Sequence, residues 1–364
     1  MTPLASVPVV GPGPVSVLPP LGLAPADPDL DGPILLRVPN WVGDAVLALP
    51  AVAALCEAFR RRAVVVMARR GIAPLFVGQD GITDVILVPG RGLDRLSTMR
   101  RALPDRPAVA VVFPDSMGAA AELAVARPRS SWGYGGGLRG VALDVLLPRR
   151  WARGRHRWEK YALLAAAVTG RPVAERYPIR AAPGDMGAAD ALFTEAGLAG
   201  GGTPIVGLVP GAHASSRRWP ADRFAELASA LEREGVRVVL LGAAGDGPLT
   251  SAIAGLAEPS PADWAGRTTL PVLAEIFRRL DFVVTNDTGP MHLAAAVGTP
   301  LVDLCGAADE RETGPRGPAS EVLVHPIHCR PCVKNVCAYN LGCMTGIPVG
   351  AVLERVRARL RAEA

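Results

Sequence analysis

The sequence predicts an α/β protein made of two doubly wound, Rossmann-like halves. Three observations carry that reading. From Gly32 onward, short apolar runs alternate with longer helical patterns, the rhythm of a parallel sheet covered on both faces. The alternation pauses near residues 178–188 and then starts again, so the pattern is written twice. The loops after the apolar runs carry Gly, Pro, Asn and Asp, at the carboxyl ends of strands where open α/β sheets bind their ligands.

In the first half the apolar runs 34–38, 64–68, 85–88 and 109–113 read as strands. Segments 45–61, 72–77, 93–102, 119–126 and 158–169 show helical spacing between and after them. In the second half, 205–209, 236–241, 282–284 and 301–304 read as strands, with helices over 221–234 and 270–280 and another opening at Pro290. Pro is tolerated in a first helical turn because the N–H it lacks would be unpaired there anyway. A last helix covers 349–362. The chain therefore divides into an extension (1–31), a first domain (32–182), a second domain (183–348) and a C-terminal helix (349–364). The extension has eight Pro residues and no Lys or Arg. It lacks the basic start and unbroken apolar core of a secretory signal, and reads as a disordered segment that adds nothing to the fold.

With 364 residues, 49% of them apolar, the chain is large enough for two substantial cores. The net charge is +5, yet among 39 basic residues only Lys160 and Lys334 are lysines. That Arg bias travels with abundant Gly, Ala and Pro and reads as genome composition. Without a basic run or interleaved aromatics, nucleic acid is not an expected partner. No apolar stretch of about 18 residues free of charge suggests a membrane span. The expected location is cytoplasmic.

Three loops carry chemistry. Pro39-Asn40-Trp41-Val42-Gly43-Asp44 joins the first strand to the first helix. A carboxylate at that strand end has the position of a general base, kept ionised by the helix N-terminus. Asp44 reads equally as an ordinary N-cap. Residues 209–220, VPGAHASSRRWP, place Gly211 for close backbone approach and Arg217 and Arg218 for a diphosphate. The alternative for the two arginines is a solvated surface pair. Thr285-Asn286-Asp287-Thr288-Gly289 opens the helix that holds Met291 and His292 and presents free N–H groups and a carboxylate to an anion. A simple capped turn, with a structural His292, explains the same residues. Residues 149–157, with Lys160 close behind, read as a solvated linker, with contact to an anionic acceptor as the alternative.

Four of the six cysteines cluster as Cys329, Cys332, Cys337 and Cys343, beside His325 and His328. In a cytoplasmic chain this spacing favours tetrahedral ligation of a structural zinc over disulfides, with an iron–sulfur cluster or free thiols as the alternatives. Cys56 and Cys305 read as core residues.

Four stretches carry a family resemblance: PNWVGDAVLALPA, VVFPDSMGAAAELAVARPRSSWGYGGGLRG, VPGAHASSRRWPADRFAELA and VVTNDTGPMHLAAAVGTPLVDLCG. In this order, across residues 34–306, the chain resembles the ADP-heptose:lipopolysaccharide heptosyltransferases of glycosyltransferase family 9, and the heptosyltransferase II branch most. The resemblance implies a GT-B architecture with two domains facing a cleft. It implies inverting transfer of a heptose from ADP-L-glycero-D-manno-heptose, with no cofactor or metal needed for catalysis. Within it, Asp44 takes the place of the catalytic base, with Gly43 beside it. Asp287, Thr288, Gly289, Met291 and His292 fall where the donor is held. Arg217, followed by Arg218, stands where the family usually has Lys, in a loop one residue shorter, and Asp246 is aligned with the nucleotide ribose. By analogy with the GT-B fold, the last helix packs back on the first domain. The implied partners are an ADP-sugar donor and a lipopolysaccharide inner-core-like or other lipid-linked glycan acceptor, with peripheral membrane association through the acceptor at the inner face of the membrane. Another envelope glycan or a natural product is the alternative acceptor. The non-enzymatic alternative is a nucleotide- or metal-binding module.

Overall fold

The N-terminal extension supplies two strands, β1 (Ala5–Pro8) and β2 (Ser16–Val17), in the computed structural model of the chain. The structure describes residues 5–8, 16–19, 22–27, 29–89, 95–103, 106–317 and 319–363. Residues 14–180 form one unit, and 181–364 together with β1 form the other. The extension was expected to add nothing, and the structure corrects this. β1 pairs antiparallel with the last strand of the second unit, and β2 with a short strand of the first. Proline sits only at the end of β1, so Ser6 and Val7 keep the backbone groups that an open sheet edge lacks partners for.

In the first unit the chain runs through β3 (Ile34–Arg37), α1 (Val42–Ala58), β4 (Val64–Ala68), β5 (Asp84–Leu87), α2 (Arg95–Ala102) and β6 (Val109–Val112). It continues through α3 (Met117–Val125), β7 (Ser130–Tyr134), β8 (Val145–Leu147), α4 (Arg157–Thr169) and β9 (Val173–Ala174). The sheet order β5-β4-β3-β6-β7-β8 is, counted from β3, 3-2-1-4-5-6, with every neighbour parallel. β3 and β6 are buried at all positions, which is why both read as unbroken apolar runs in the sequence. Helix α4 buries its alanine- and leucine-rich face and ends on Gly170, whose φ of +67° gives the left-handed cap that favours glycine.

The second unit repeats the plan. It runs through α5 (Pro183–Glu195), β10 (Ile205–Val209), α6 (Ala221–Arg233), β11 (Arg237–Leu240), α7 (Gly247–Leu256), β12 (Ala262–Asp263), α8 (Leu270–Arg278) and β13 (Phe282–Asn286). It then passes through α9 (Gly289–Ala296), β14 (Leu301–Leu304), α10 (Glu310–Thr313), β15 (Ser320–Val324), α11 (Gly342–Thr345) and α12 (Val349–Glu363). Its order β15-β14-β13-β10-β11-β12, counted from β10, is again a 3-2-1-4-5-6 arrangement, with β1 added beyond β15. Phe224, Leu227, Ala228 and Leu231 on α6 recur at helical spacing and pack on this sheet.

Beyond the extension, β7, β8, β9, β12 and β15 went unread in the sequence because they are two or three residues long or open on Ser. The helix expected over 72–77 is a single turn at Ala73–Leu75. The one expected over 93–102 is described from Arg95, with its first residues outside the described set. Helix α12, expected to pack back on the first domain, buries Val352 and Val356, both 0% exposed, in one core with Val206, Leu227 and Val284 of the second unit.

Candidate functional site

In a 3-2-1-4-5-6 sheet the crevice for a ligand opens between the ends of strands 1 and 4, because the connections leave there in opposite directions. In the first unit those strands are β3 and β6, and they are followed by residues 38–44 and 113–117. Asp44 lies in the first turn of α1, while the N-cap is Trp41, which makes no side-chain capping bond. Asp44 is therefore not the cap. Its Oδ1 accepts from Arg157 Nη1 at 3.2 Å, across 113 residues of sequence. Tyr161, one turn along α4, feels the same carboxylate and packs edge-on against Phe113 at 5.8 Å. Burial first, and then Asp44, hold the Tyr161 phenol well above its usual range, so it remains a donor.

Across the same crevice Asp115 follows β6. Lys160 Nζ and Arg139 Nη1 pair with its two oxygens, the latter at 3.4 Å, and Arg139 also donates to the Pro114 carbonyl at 2.9 Å. Residues 149–157 are thus not a free linker: the segment turns at Arg149–Trp151 and ends on the arginine that meets Asp44. Sequence reasoning missed Asp115 and the pairing of Asp44 with Arg157, since no periodicity links a loop to a helix 45 or 113 residues away.

In the second unit the switch-point loops follow β10 and β13. Asn286, fully buried, bridges them: Nδ2 donates to the Pro210 carbonyl at 2.7 Å, and Oδ1 accepts from the Trp219 N–H at 3.1 Å. Arg217 is half-buried, and its Nη1 lies 2.9 Å from Oδ2 of Asp287, which is 4% exposed. Arg218 is exposed, and its Nε braces its own loop through the Ala212 carbonyl at 2.8 Å. Thr288 is the N-cap of α9 and makes no side-chain capping bond, so the first-turn N–H groups of Gly289 and Met291 are left for an anion. Thr288 and Gly289 are half-exposed, whereas the Met291 and His292 side chains are buried, so Met291 offers only its backbone. Gly211 is required because a Cβ there would lie 2.4 Å from Cγ of Asp246. Asp246 accepts from the Ala243 N–H at 2.9 Å and closes this loop from the far side. Arg217, Asp287, Thr288, Gly289 and Asp246 therefore converge on one switch point, and Asp44 with Gly43 occupies the other.

The four clustered cysteines, with His328 and Ser216, line one cavity of about 370 Å³. All are free thiols, and among the described residues no three His, Cys, Asp or Glu side chains gather as ligands of a metal. Backbone bonds brace the loop that carries the first three of these cysteines. Cys332 and Val333 donate to the Ala307 carbonyl at 3.1 and 2.8 Å, Ser216 Oγ donates to the Lys334 carbonyl, and Cys337 Sγ accepts from the Tyr339 N–H at 3.3 Å. Cys343, on α11, is buried in the core of the second unit and faces the same cavity as the other three.

Two Rossmann-like units, one with an anion-binding turn and the other with a paired carboxylate at the same point of the sheet, define a glycosyltransferase of the GT-B class. Residues 99–341 match glycosyltransferase family 9 (heptosyltransferase), and the chain belongs to that family. It is 28% identical over 304 residues to lipooligosaccharide heptosyltransferase 2 of Haemophilus influenzae, an alignment covering 80% of this chain and 88% of the relative. The solved structure of Escherichia coli ADP-heptose lps heptosyltransferase II superposes with a TM-score of 0.75 at 25% identity, over 92% of this chain and all of that one. A family 9 glycosyltransferase from Veillonella parvula superposes with a TM-score of 0.77 at 19% identity, over 92% of this chain and 99% of the other. Among the described residues no helix is long and apolar enough to cross a membrane.

Proposed function

We propose that this enzyme transfers a heptose from ADP-L-glycero-D-manno-heptose to a hydroxyl of a lipopolysaccharide inner-core-like acceptor, with inversion at the anomeric carbon. The observation that supports it most is the Arg217–Asp287 pair beside the uncapped start of α9, a place built for a nucleotide diphosphate. In this reading the diphosphate takes the Arg217 guanidinium and the first-turn N–H groups, and Asp287 meets the donor. Asp44 takes the proton of the acceptor hydroxyl as its oxygen forms the new bond to the anomeric carbon. The bond from that carbon to ADP breaks on the opposite face, and the charge left on ADP is met by Arg217 and the α9 N-terminus. No metal or cofactor enters this scheme.

An anionic acceptor suits Arg157 and Lys160, which flank Asp44 and Asp115 and stay partly open to solvent. Arg149, Arg150 and Arg153 are exposed on the adjoining turn, which supports work in the cytoplasm at an anionic membrane face.

Calorimetric titration with ADP, UDP, GDP and ADP-heptose, without divalent metal, tests the donor. Selective ADP binding, tighter with the heptose attached, is expected. Preference for UDP or GDP overturns the donor, and no binding overturns the transferase. Asp44→Asn is expected to lose about 10²–10⁴-fold in turnover while keeping donor affinity, the range for removing a general base.

A further inference from the structure

Arg37 closes β3, the strand from which the first sheet is wound, directly after the buried run Ile34, Leu35 and Leu36. A strand covered on both faces has room for another aliphatic residue at this point. The guanidinium found there is only 1% exposed. Each of its nitrogens is aimed. Nε donates to Glu122 Oε2 at 2.5 Å, Nη2 donates to Asn40 Oδ1 at 2.7 Å, and Nη1 donates to the Val38 carbonyl.

Burying an ion pair costs much of what its attraction returns, and apolar residues of similar volume are often as stable or more so. Stability alone therefore does not account for this arginine. Direction does. Glu122 is fixed on α3, and Val38 and Asn40 belong to the segment leaving β3. Trp41, the N-cap of α1, gives the helix no side-chain cap, and Asn40 ties this turn to the sheet through Arg37. Burial, assisted by Arg69, lowers the Arg37 guanidinium to about 10, which still leaves it charged at neutral pH.

We infer that Arg37, anchored by Glu122, is a positioning residue: through Asn40 it sets the path of residues 38–44 and hence the direction of the Asp44 carboxylate. This rests on the reading of Asp44 as the base. Arg37 itself, enclosed between strand and helix, touches no substrate.

The test uses the full chain with Asn40→Ala, which cuts the tether and leaves the buried pair intact, and Asn40→Asp, which keeps an oxygen for the guanidinium. Backbone hydrogen exchange is read over residues 39–45, alongside kcat, donor KM and melting temperature. The alanine variant is expected to exchange at least about tenfold faster in that segment alone, the loss of a charge-assisted hydrogen bond. Its kcat falls by a similar factor, with donor KM and melting temperature unchanged, and the aspartate variant restores both exchange and kcat. Exchange within twofold of wild type overturns the inference. So does a rise spread over the whole unit with a lowered melting temperature, the mark of a merely structural contact. A wild-type protein without heptosyl transfer overturns the functional reading, and the exchange comparison then decides the positioning role by itself.

Discussion

Asp303 carries a carboxyl group into the centre of the second unit, on β14, with 0% exposure and neither oxygen in a hydrogen bond. Burial, and then the neighbouring Asp287, push it well above the usual carboxylate range, against the opposing pull of Arg330 and Arg217. The folded chain therefore holds a proton that the unfolded chain releases near the ordinary value of about 3.9. Stability is fullest below that value, falls as pH rises through the raised folded pKa, and stays reduced above it. Asp303→Asn keeps the shape and removes the ionisation. Calorimetry from pH 4 to pH 8 is expected to show the variant melting higher than wild type at neutral pH, with the gap closing toward pH 4. An equal or lower melting temperature at pH 8 rejects the buried-acid account. Nothing in the sequence VDLCG marks this aspartate as different from any strand-end residue, because its state is set by burial, by Asp287 just after β13 and by Arg217 and Arg330 from two distant segments. Asp287 and Arg217 were legible for the opposite reason: each lies in a Gly- and Pro-bearing loop after an apolar run, where local sequence and site coincide.

Among the elements, α12 shows how a correct local reading leaves the packing open. Its helical spacing is plain in the sequence, yet spacing gives the apolar face and not what covers it. Val349, Val352, Leu353 and Val356 all enter the core built on α6 and the sheet of the second unit. Burying a Val or Leu side chain is worth about 1.5–3 kcal/mol each, so four come to roughly 6–12 kcal/mol as an upper bound. That matches the whole net stability of a typical domain, about 5–15 kcal/mol. A chain ending at Pro348 is expected to lose the unfolding transition of residues 181–348 in calorimetry and its ADP binding with it, while the first unit still melts cooperatively. Retained ADP affinity in the truncated chain contradicts this packing account. Strand β1 and the cysteine loop make the same point by different physics. Edge pairing and backbone carbonyls such as that of Ala307 decide both, and neither has a signature in residue type.

For the molecule as a whole, the informative fact is that one strand order occurs twice while its two switch points carry different chemistry. The first has two carboxylates held by cations, Asp44 by Arg157 and Asp115 by Lys160, and the second has the Arg217–Asp287 pair beside the uncapped N-terminus of α9. Under the proposed function, proton removal falls to one unit and phosphate binding to the other. The sequence already showed this repetition, because parallel central strands must be apolar and their exit loops polar. If the division holds, donor affinity belongs to the second unit alone. Residues 181–364, expressed without the first unit, are expected to bind ADP within about tenfold of the full chain, since every group assigned to the diphosphate lies there. At one hundred times the dissociation constant, ADP adds about 2.7 kcal/mol to the stability of whatever binds it. The melting temperature of the isolated unit must therefore rise with ADP, and that of isolated residues 14–180 must not. An ADP shift in the first unit, or none in the second, means that the nucleotide is not held by the switch point of β10 and β13.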